Sequence, residues 1–441
     1  MSNTVAGDFD VVVVGAGVGG LGAAQKLRLQ CLRAVVLEAR DRIGGRCFCD
    51  NSFPAPFDFG GQFFHQVVPK VYGDGTNNPL YDMYIAQGGP DVPCVLVPDF
   101  YENGDRLPDS DQAQFHDLAT TVGAELAAVG TALQLGAPDM PVAKATANLA
   151  GEPWYTLTTA FLGLAFDADV SEMSSLDAWN DFKLAVNLDG SPSDRAVPSG
   201  MGNFVAQFAS GLDIRLSTRV TGIDLTGADL VKVITDQGSL TAKAVIVTAP
   251  TTVLAAGDIA FQPELPAVYM QAFHDLPFGL VDKFGIVFNA DVFGETPANT
   301  IVTRHEDTAR FGMALAKLAG KPMMNLLVAG DLAHELEKGG EQAFTAYARE
   351  FLTATYGSAA AAAIGRTVIH PWGTDPLTMG SYSAARVGKA AARRTLAEPI
   401  DNRLYFAGEA ISVNAHSSLH GAYLTGQGAA QAVVDAHNPP R

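Results

Sequence analysis

The hydrophobic pattern is clearest near the start of the chain, where two apolar runs flank a glycine-rich segment. Four consecutive valines occupy residues 11–14, and a second apolar run ends at Glu38. An unbroken β-branched run is typical of a parallel strand that is buried on both faces. We therefore predict a strand, a turn, a helix and a second strand between residues 11 and 38.

The turn carries Gly15, Gly17 and Gly20 in the G-x-G-x-x-G spacing of dinucleotide-binding proteins. The first glycine permits a tight turn, the second lets the backbone approach a pyrophosphate, and the third lets the helix pack closely on the strand. Glu38 lies where a carboxylate accepts hydrogen bonds from an adenosine ribose. The segment therefore predicts a site for a dinucleotide without a 2′-phosphate.

Further periodic stretches extend this α/β pattern along the chain. Alanine-rich and leucine-rich stretches predict helices at residues 112–135, 143–164, 341–355 and 359–363. Alternating or continuous apolar runs predict strands at residues 214–223, 244–250 and 283–288.

The residues that follow the second strand, EARDRIGGR at 38–46, resemble the E-A-R-x-R-x-G-G-R run of the flavin amine oxidase family, which also includes related desaturases. In that family the second glycine pair and its flanking arginines hold the FAD pyrophosphate, which assigns this role to Arg40, Gly45 and Arg46. Arginine forks suit phosphate oxygens, and glycines admit close backbone contact. The resemblance implies FAD as the cofactor.

A second resemblance lies near the end of the chain. The residues RLYFAGEA at 403–410 match the family's F-A-G-E motif, which implies that Gly408 and Glu409 contact FAD, the glutamate at the ribityl or phosphate portion. The residues SLHGAY at 418–423 resemble a motif of the polyamine oxidase branch. There a helix N-terminus, here Leu419, points N–H groups at the flavin pyrimidine edge. A plain helix start with a structural His420 is the alternative interpretation.

Between these ends, DFGGQFFH at residues 58–65 resembles the D-x-G-A-x-W-x-H segment of several polyamine oxidases, with glycine and phenylalanine replacing its alanine and tryptophan. The resemblance implies that Gly60, Gly61 and Gln62 contact the cofactor. It implies that His65 faces the substrate, where an imidazole can bind an amine or tune its protonation. A half-buried strand histidine is the alternative interpretation.

Lys283 interrupts an otherwise apolar alternating strand. This is costly, because a buried ammonium group loses its hydration and its pKa falls. In the family a lysine in this setting binds a water that bridges to flavin N5, and Lys283 matches it by strand context and by order along the chain. We predict that Lys283 is catalytic, and a snorkelling lysine on an edge strand is the alternative.

Trp372 and Tyr382 belong to a W-x-x-D-x-x-x-x-G-S-Y-S segment that resembles the same family. The resemblance implies that Trp372 and Val220 contact FAD, Val220 at the adenine, and that Tyr382 is an aromatic wall of the amine site. Monoamine oxidases have a second cage tyrosine, for which residues 417–419 offer no counterpart. They also link the flavin to a cysteine where this chain has Ser381, so noncovalent FAD is expected.

The order of these motifs predicts two interleaved domains in an α/β chain of 441 residues, 48% of them hydrophobic. A Rossmann-type FAD-binding domain is expected from residues 1–70, 198–250 and 390–441. A mixed α+β substrate domain is expected from residues 71–197 and 251–389.

Charge and cysteine content limit the classes of partner and ligand that the chain is expected to bind. The formal net charge of −18 disfavours nucleic acid and anionic membranes, and it attracts cationic amines. The four cysteines and nine histidines show no metal-ligand motif, so neither a metal nor a disulfide framework is expected. The sequence shows no pattern of a membrane span or signal peptide, so no membrane is expected as a partner and a cytoplasmic location is expected.

These observations predict an FAD-dependent amine oxidase that moves a hydride from an amine α-carbon to flavin N5 and gives an imine, then a carbonyl compound and ammonia or a smaller amine. Dioxygen is the expected electron acceptor, with hydrogen peroxide as product, and the oligomeric state, monomer or homodimer, stays open. An L-amino-acid oxidase would need an arginine at the flavin, for which Arg304 and Arg310 are candidates. A desaturase or dehydrogenase and a non-catalytic flavin-binding subunit are further alternatives.

Overall fold

The computed structural model describes residues 7–65, 67, 78–94, 98–166, 169–185, 194–305 and 310–437. In chain order the strands are β1 (Phe9–Val14), β2 (Ala34–Leu37), β3 (Cys49–Asp50), β4 (Phe57–Asp58), β5 (Phe63–Phe64), β6 (Pro93–Cys94), β7 (Pro98–Glu102), β8 (Asp105–Arg106), β9 (Asp194–Ala196), β10 (Ile214–Arg215), β11 (Val220–Asp224), β12 (Val231–Thr235), β13 (Gly238–Val247), β14 (Ala260–Gln262), β15 (Val281–Phe288), β16 (Thr300–Arg304), β17 (Gly312–Ala316), β18 (Met323–Ala329), β19 (Ile364–Ile369) and β20 (Leu404–Phe406). The helices are α1 (Val18–Leu29), α2 (Pro79–Ala86), α3 (Asp109–Gln134), α4 (Val142–Ala145), α5 (Tyr155–Phe166), α6 (Ser175–Ala185), α7 (Met201–Ala206), α8 (Thr251–Ala255), α9 (Ala267–Asp275), α10 (Gly330–Tyr356), α11 (Ser358–Ala362), α12 (Ala392–Ala397) and α13 (Leu419–His437).

The first sheet has the strand order β10-β2-β1-β13-β12-β11-β14, and β20 also pairs with β13. β1 lies parallel to both β2 and β13. Val11 and Val13 pack in one core with α1 and α13, whereas Val12 and Val14 pack in another core with α8 and α9. The predicted strand that is buried on both faces is therefore confirmed, and so is the Rossmann-like arrangement around it.

The turn after β1 explains two of the predicted glycines. Gly15 has a φ of 100°, a backbone conformation that residues other than glycine rarely adopt. A Cβ atom at Gly20 would lie 1.9 Å from the Gly15 carbonyl oxygen. The first turn of α1 can therefore pack against the end of β1 only with glycine at this position.

The second sheet has the order β19-β15-β18-β17-β16-β7-β8 and packs against α10. Strands β7 and β8 come from residues 71–197, the first predicted substrate segment. The other strands of this sheet come from residues 251–389, the second segment. β15 pairs with β18 on one side and with β19 on the other. Lys283 therefore lies on an internal strand, and the alternative of an edge-strand lysine is wrong.

The two cores divide the chain differently from the predicted domain boundary at residue 250. β14 pairs with β11 of the first sheet, and Tyr269 and Phe273 of α9 pack in its core. Conversely, Phe57 and Phe59 pack in the core of the second sheet, although they precede residue 70. The sequence could not show this exchange because it depends on which sheet each apolar face meets. The predicted boundary between residues 70 and 71 lies outside the described residues.

Two predicted elements are divided in the structure. The helix predicted at residues 143–164 is interrupted between α4 and α5, where Pro153 has no backbone N–H to continue a helix. The strand predicted at residues 214–223 is interrupted between β10 and β11. Ser217 has a φ of 49° there, which a strand cannot contain.

A buried ion pair joins α6 to α12. Arg393 is 1% exposed, and its Nε and Nη2 donate to the two carboxylate oxygens of Asp177 at 2.9 and 2.7 Å. Burial opposes ionisation of Asp177, but the charges of Arg393 and His416 and the hydrogen bonds to the carboxylate together outweigh it and hold the pKa of that carboxyl below its usual range. Arg393 also donates to the Ser383 hydroxyl and the Ala410 carbonyl, so one side chain connects four parts of the chain.

We expect Arg393→Met to lower the free energy of unfolding by about 3 to 5 kcal/mol, because it leaves the Asp177 carboxylate buried without its cation. Urea-induced unfolding measures this loss. The control is Arg394→Met, since Arg394 is exposed on the same helix, and a change within about 0.5 kcal/mol is expected there. Equal losses in the two variants would contradict a special role for the buried pair.

Candidate functional site

A cavity of about 540 Å³ runs from the turn after β1 to the face of β15. Of the residues predicted from the sequence, its walls contain Gly15, Gly17, Glu38, Arg40, Gly45, Arg46, Gly60, Gly61, Gln62, His65, Val220, Lys283, Trp372, Tyr382, Gly408, Glu409 and Leu419. Gly20 is absent from the walls because it packs against the Gly15 carbonyl. Segments from both sheets and both chain ends therefore meet around one space.

The end of the cavity nearest β2 suits an adenosine. Glu38 is buried at the end of β2, where its carboxylate accepts the N–H of Ala16 at 2.7 Å and that of Arg40 at 2.8 Å. These bonds fix the side chain, and each oxygen keeps lone pairs for a ribose hydroxyl. Val220, for which a contact with adenine is predicted, also lines the cavity.

Two glycine segments form a cradle for a group that requires close backbone approach. Gly17 and Gly44 form a parallel bridge, and a Cβ atom at Gly45 would lie 3.3 Å from the Gly17 Cα. Gly45 has a φ of 58°, in the left-handed region. The first turn of α1 also opens here, with the N-terminal N–H groups that suit a phosphate. The chain's own geometry thus fits a pyrophosphate.

Glu409 is the centre of a hydrogen-bonded cluster beside this cradle. Its Oε1 accepts from Arg46 Nη1 at 2.9 Å and from the Ser383 N–H at 3.1 Å, and its Oε2 accepts from the Ser383 hydroxyl at 2.7 Å and the Ser417 N–H at 2.9 Å. Burial opposes its ionisation, but the charges of Arg46 and Arg393 and the hydrogen bonds from Ser383 and Arg46 together outweigh burial and lower the pKa of Glu409.

These four donors occupy the acceptor positions of the Glu409 carboxylate. The carboxylate therefore positions Arg46 and the turn before α13, whereas the family motif implied a direct contact with the cofactor. Arg46 also donates to the Ser381 carbonyl at 2.7 Å, and its guanidinium lies 4.5 Å from the centre of the Phe278 ring. The Arg46 side chain also lines the cavity, where its remaining N–H groups lie.

Lys283 lies in the cavity wall and is 9% exposed. Its Nζ donates to the Gly60 carbonyl at 2.6 Å and to Gln62 Oε1 at 2.8 Å, which leaves its third donor position without a partner among the described residues. Burial lowers the pKa of Lys283 to about 8, although the negative charge of Asp58 acts against this shift. The group can therefore hold or release a proton near neutral pH.

The wall that contains Tyr382 is largely apolar. Tyr382 shares it with Phe161, Leu162, Met313 and Leu327, which come from α5, β17 and β18. Such a surface suits the hydrocarbon part of an amine and the face of an aromatic ring. The preceding Ser381 accepts the Val281 N–H at 2.6 Å, so its hydroxyl is engaged with the backbone of β15.

Trp372 also lines the cavity and is held by two hydrogen bonds, from its Nε1 to the Phe59 carbonyl and from its N–H to Asp282. Only 2% of the side chain is exposed. The aromatic ring therefore supports the residues around Gly60, where a Cβ atom would lie 1.7 Å from the Arg46 carbonyl.

His65 lines the cavity and is paired with a carboxylate. Its Nδ1 lies 2.9 Å from Asp194 Oδ2, and its side chain is 40% exposed. Asp194 also lines the cavity and was not predicted, because no local motif distinguishes it from any other acidic residue at the start of a strand. The pair places a carboxylate and an imidazole in the same cavity wall.

His420 differs from His65, because it does not line the cavity. It is buried, and burial together with the charge of His65 lowers its pKa to about 3. Its Nδ1 lies 3.1 Å from the Ser418 hydroxyl. The structure therefore favours a structural role for this histidine. His416, which the sequence interpretation missed, does line the cavity and lies 3.5 Å from Asp177.

Within the described ranges, no group of three or more histidine, cysteine or acidic residues could hold a metal ion. No helix in that part of the chain is both long and apolar enough to cross a membrane.

Comparisons with known proteins agree with this geometry. A family model described as flavin containing amine oxidoreductase matches residues 135–434, and one described as an NAD(P)-binding Rossmann-like domain matches residues 13–84. The chain is 30% identical over 452 residues to polyamine oxidase 4 of Oryza sativa subsp. japonica. This alignment covers 95% of this chain and 87% of that protein.

Other relatives extend the comparison. Lysine-specific histone demethylase 1 homolog 3 of Oryza sativa subsp. indica is 28% identical over 439 residues, 94% of this chain and 53% of that protein. Among solved structures, a putrescine oxidase triple mutant with redesigned cofactor binding superposes with a TM-score of 0.79 at 19% identity, covering 97% of this chain and 99% of that one. This last likeness concerns the fold.

The depressed pKa of Lys283 generates a prediction about stability. Its ordinary pKa is 10.5 and its pKa in the folded protein is about 8, so between these values the unfolded chain binds more protons and stability rises with pH. Below pH 8 the full cost of burying the charge is present. Relative to Lys283→Met, the parent chain should therefore gain on the order of 3 kcal/mol between pH 8 and 10.5.

Chemical unfolding across this pH range measures the difference. Lys338→Met serves as the control, because Lys338 is exposed on α10, and its free energy of unfolding should follow the parent at every pH. A parent and a Lys283→Met variant with parallel pH profiles would show that Lys283 keeps its ordinary pKa.

Proposed function

Because this chain belongs to the flavin-containing amine oxidoreductase family, we propose that it is an FAD-dependent amine oxidase that oxidises a small-molecule amine at the carbon next to nitrogen. The observation that carries the proposal is the position of Lys283, which lies in the same cavity as the glycine cradle and the apolar wall around Tyr382. A cofactor held at the cradle would extend toward this lysine.

The described residues fit FAD along the cavity. Glu38 and Val220 would hold the adenosine, the two glycine segments and Arg46 the pyrophosphate, and the N-terminus of α13 the flavin pyrimidine edge. Ser381 offers no thiol for a covalent link, which supports noncovalent FAD. When bound, FAD would supply a two-electron acceptor for the amine and then pass the electrons to dioxygen, with hydrogen peroxide as product.

The chain's own groups would bind and orient the amine. The apolar wall around Tyr382 would hold its hydrocarbon part, and the His65–Asp194 pair would attract a cation and accept a proton from it. Lys283, with a free donor position and a pKa of about 8, would hold a water at the reacting edge of the cofactor and move a proton there. These side chains lower the barrier through position and charge.

The structure argues against an L-amino-acid oxidase, which needs an arginine for the substrate carboxylate. Arg304 and Arg310 both pair with Glu350, and neither lines the cavity. The arginines that do line it within the described ranges are Arg40, Arg46 and Arg219, and each of them is already paired with an acidic residue. The Asp194 carboxylate in the cavity wall would favour a cationic substrate instead. A desaturase has no need of a charged group such as Lys283.

Purified protein should carry FAD that is released on denaturation, because Ser381 occupies the place where a cysteine could form a thioether. Acid precipitation followed by absorbance of the supernatant tests this. All yellow colour should remain in solution, and colour retained in the washed pellet would contradict noncovalent binding.

The reaction itself is tested by adding amines to the protein without oxygen and recording the flavin absorbance. A panel of primary monoamines, diamines and polyamines should contain compounds that bleach the flavin, and air should restore the colour with release of peroxide. L-Amino acids are the matched comparison, and they should bleach it far more slowly. Bleaching by none of the amines would contradict the proposed function and favour a non-catalytic flavin-binding role.

Lys283→Met should retain FAD and slow flavin reduction or reoxidation by at least about tenfold, equivalent to about 1.4 kcal/mol of barrier, because it removes the group that would orient water. Stopped-flow absorbance separates the two half-reactions. Lys338→Met, which changes an exposed lysine, should match the parent. Parent-like rates in Lys283→Met at full flavin content would make Lys283 a structural residue.

A further inference from the structure

Asn325 is a buried polar residue in the otherwise apolar strand β18. Its exposure is 0%, and its neighbours in MMNLLVA are hydrophobic. A buried amide is costly unless its groups are hydrogen-bonded, so such a residue in the middle of a strand calls for an explanation. The established fold of the sheet needs only apolar packing at this position.

The strand register places Asn325 beside Lys283. Asn325 pairs with Gly285 on β15, and Lys283 lies two residues before Gly285, on the same face of the sheet. A Cβ atom at Gly285 would lie 2.8 Å from the Phe57 ring and from Val368, so no larger residue fits there. Phe57 and Val368 therefore pack directly on the backbone opposite Asn325.

Both side chains donate to a single oxygen. Gln62 Oε1 accepts from Lys283 Nζ at 2.8 Å and from Asn325 Nδ2 at 3.0 Å. Two donors at this oxygen determine which way the Gln62 amide points, because the reversed amide would direct its own N–H groups at both donors. Gln62 lines the cavity whereas Asn325 does not.

The other end of the Gln62 amide is available to a ligand. Its Nε2 has no hydrogen-bond partner among the described residues, and the side chain is half-buried in the cavity wall next to Lys283. We propose that Gln62 Nε2 donates a hydrogen bond to an acceptor on the flavin ring, and that Asn325 is a positioning residue that holds the Gln62 amide in this orientation.

This inference rests on the proposed cofactor but not on the amine reaction. A donor at the ring edge stabilises the electron-rich reduced flavin more than the oxidised form. Removing the donor therefore lowers the midpoint potential. Removing Asn325 lowers it too, because the amide then has only Lys283 to fix its direction.

The experiment measures the midpoint potential of the bound flavin by reductive titration with a reference dye in four proteins: the parent, Gln62→Met, Asn325→Ala and the double variant. Gln62→Met should lower the equilibrium constant for two-electron reduction at least about tenfold, which corresponds to about 30 mV. Asn325→Ala should lower it by about threefold or more. The double variant should match Gln62→Met, because Asn325 acts through Gln62.

A matched control is Thr303→Val, which removes a buried hydrogen bond to the Gly312 carbonyl in the same sheet without changing the cavity wall. The lost hydrogen bond should lower the stability of this variant, whereas its flavin potential should equal that of the parent. If Asn325→Ala does not give folded flavoprotein, Asn325→Val replaces it.

Unchanged potentials in either single variant, or additive shifts in the double variant, overturn the proposal. A chain that binds no FAD overturns both this inference and the proposed cofactor. If the potentials shift as expected while no amine bleaches the flavin, the inference stands and only the proposed function fails.

Discussion

The site depends on one buried carboxylate, that of Glu409, which joins the N-terminal segment around Arg46 to two segments of the C-terminal part of the chain. It accepts hydrogen bonds from Arg46, from Ser383 and from Ser417, and more than 360 residues separate the first of these from Glu409. The same cluster continues through Ser383 to Arg393 and its ion pair with Asp177. A buried charge with its full set of donors is stable, whereas the loss of one partner leaves it costly.

This constraint explains why two sheets can share one cavity. Ser383 follows Tyr382, so the bond to Glu409 also sets the position of the aromatic wall. Ser417 precedes α13, so the same carboxylate holds that helix N-terminus at the cavity. Lys283, another buried charged group in the wall, is tolerated differently. It has carbonyl acceptors instead of an ion pair, and its lowered pKa keeps the cost of burial limited.

Local sequence patterns predicted those features that depend on local geometry. The valines of β1, the φ of Gly15 and the close packing at Gly20 follow from side-chain shape and backbone freedom, and the structure has them as predicted. Lys283 was recognisable because a charge in an apolar strand has few purely structural explanations. Most of the predicted site residues line the cavity for the same reason: each belongs to a motif whose spacing encodes a turn or a strand end.

The remaining features depend on contacts between distant segments. Arg304 and Arg310 could not be placed from sequence because the position of Glu350 decides their direction. Asp194 and His416 carry no local signal, and only the assembled structure brings them to the cavity. Asn325 stands out in an apolar run, but its partner Gln62 is known only from the structure.

The most direct measurement of the central claim is a crystal structure of the FAD-bound protein. The account predicts adenosine beside Glu38 and Val220 and the flavin ring between Lys283 and Tyr382, with no covalent density from Ser381. A flavin ring at the Glu38 end, or a cofactor bound outside this cavity, would contradict it.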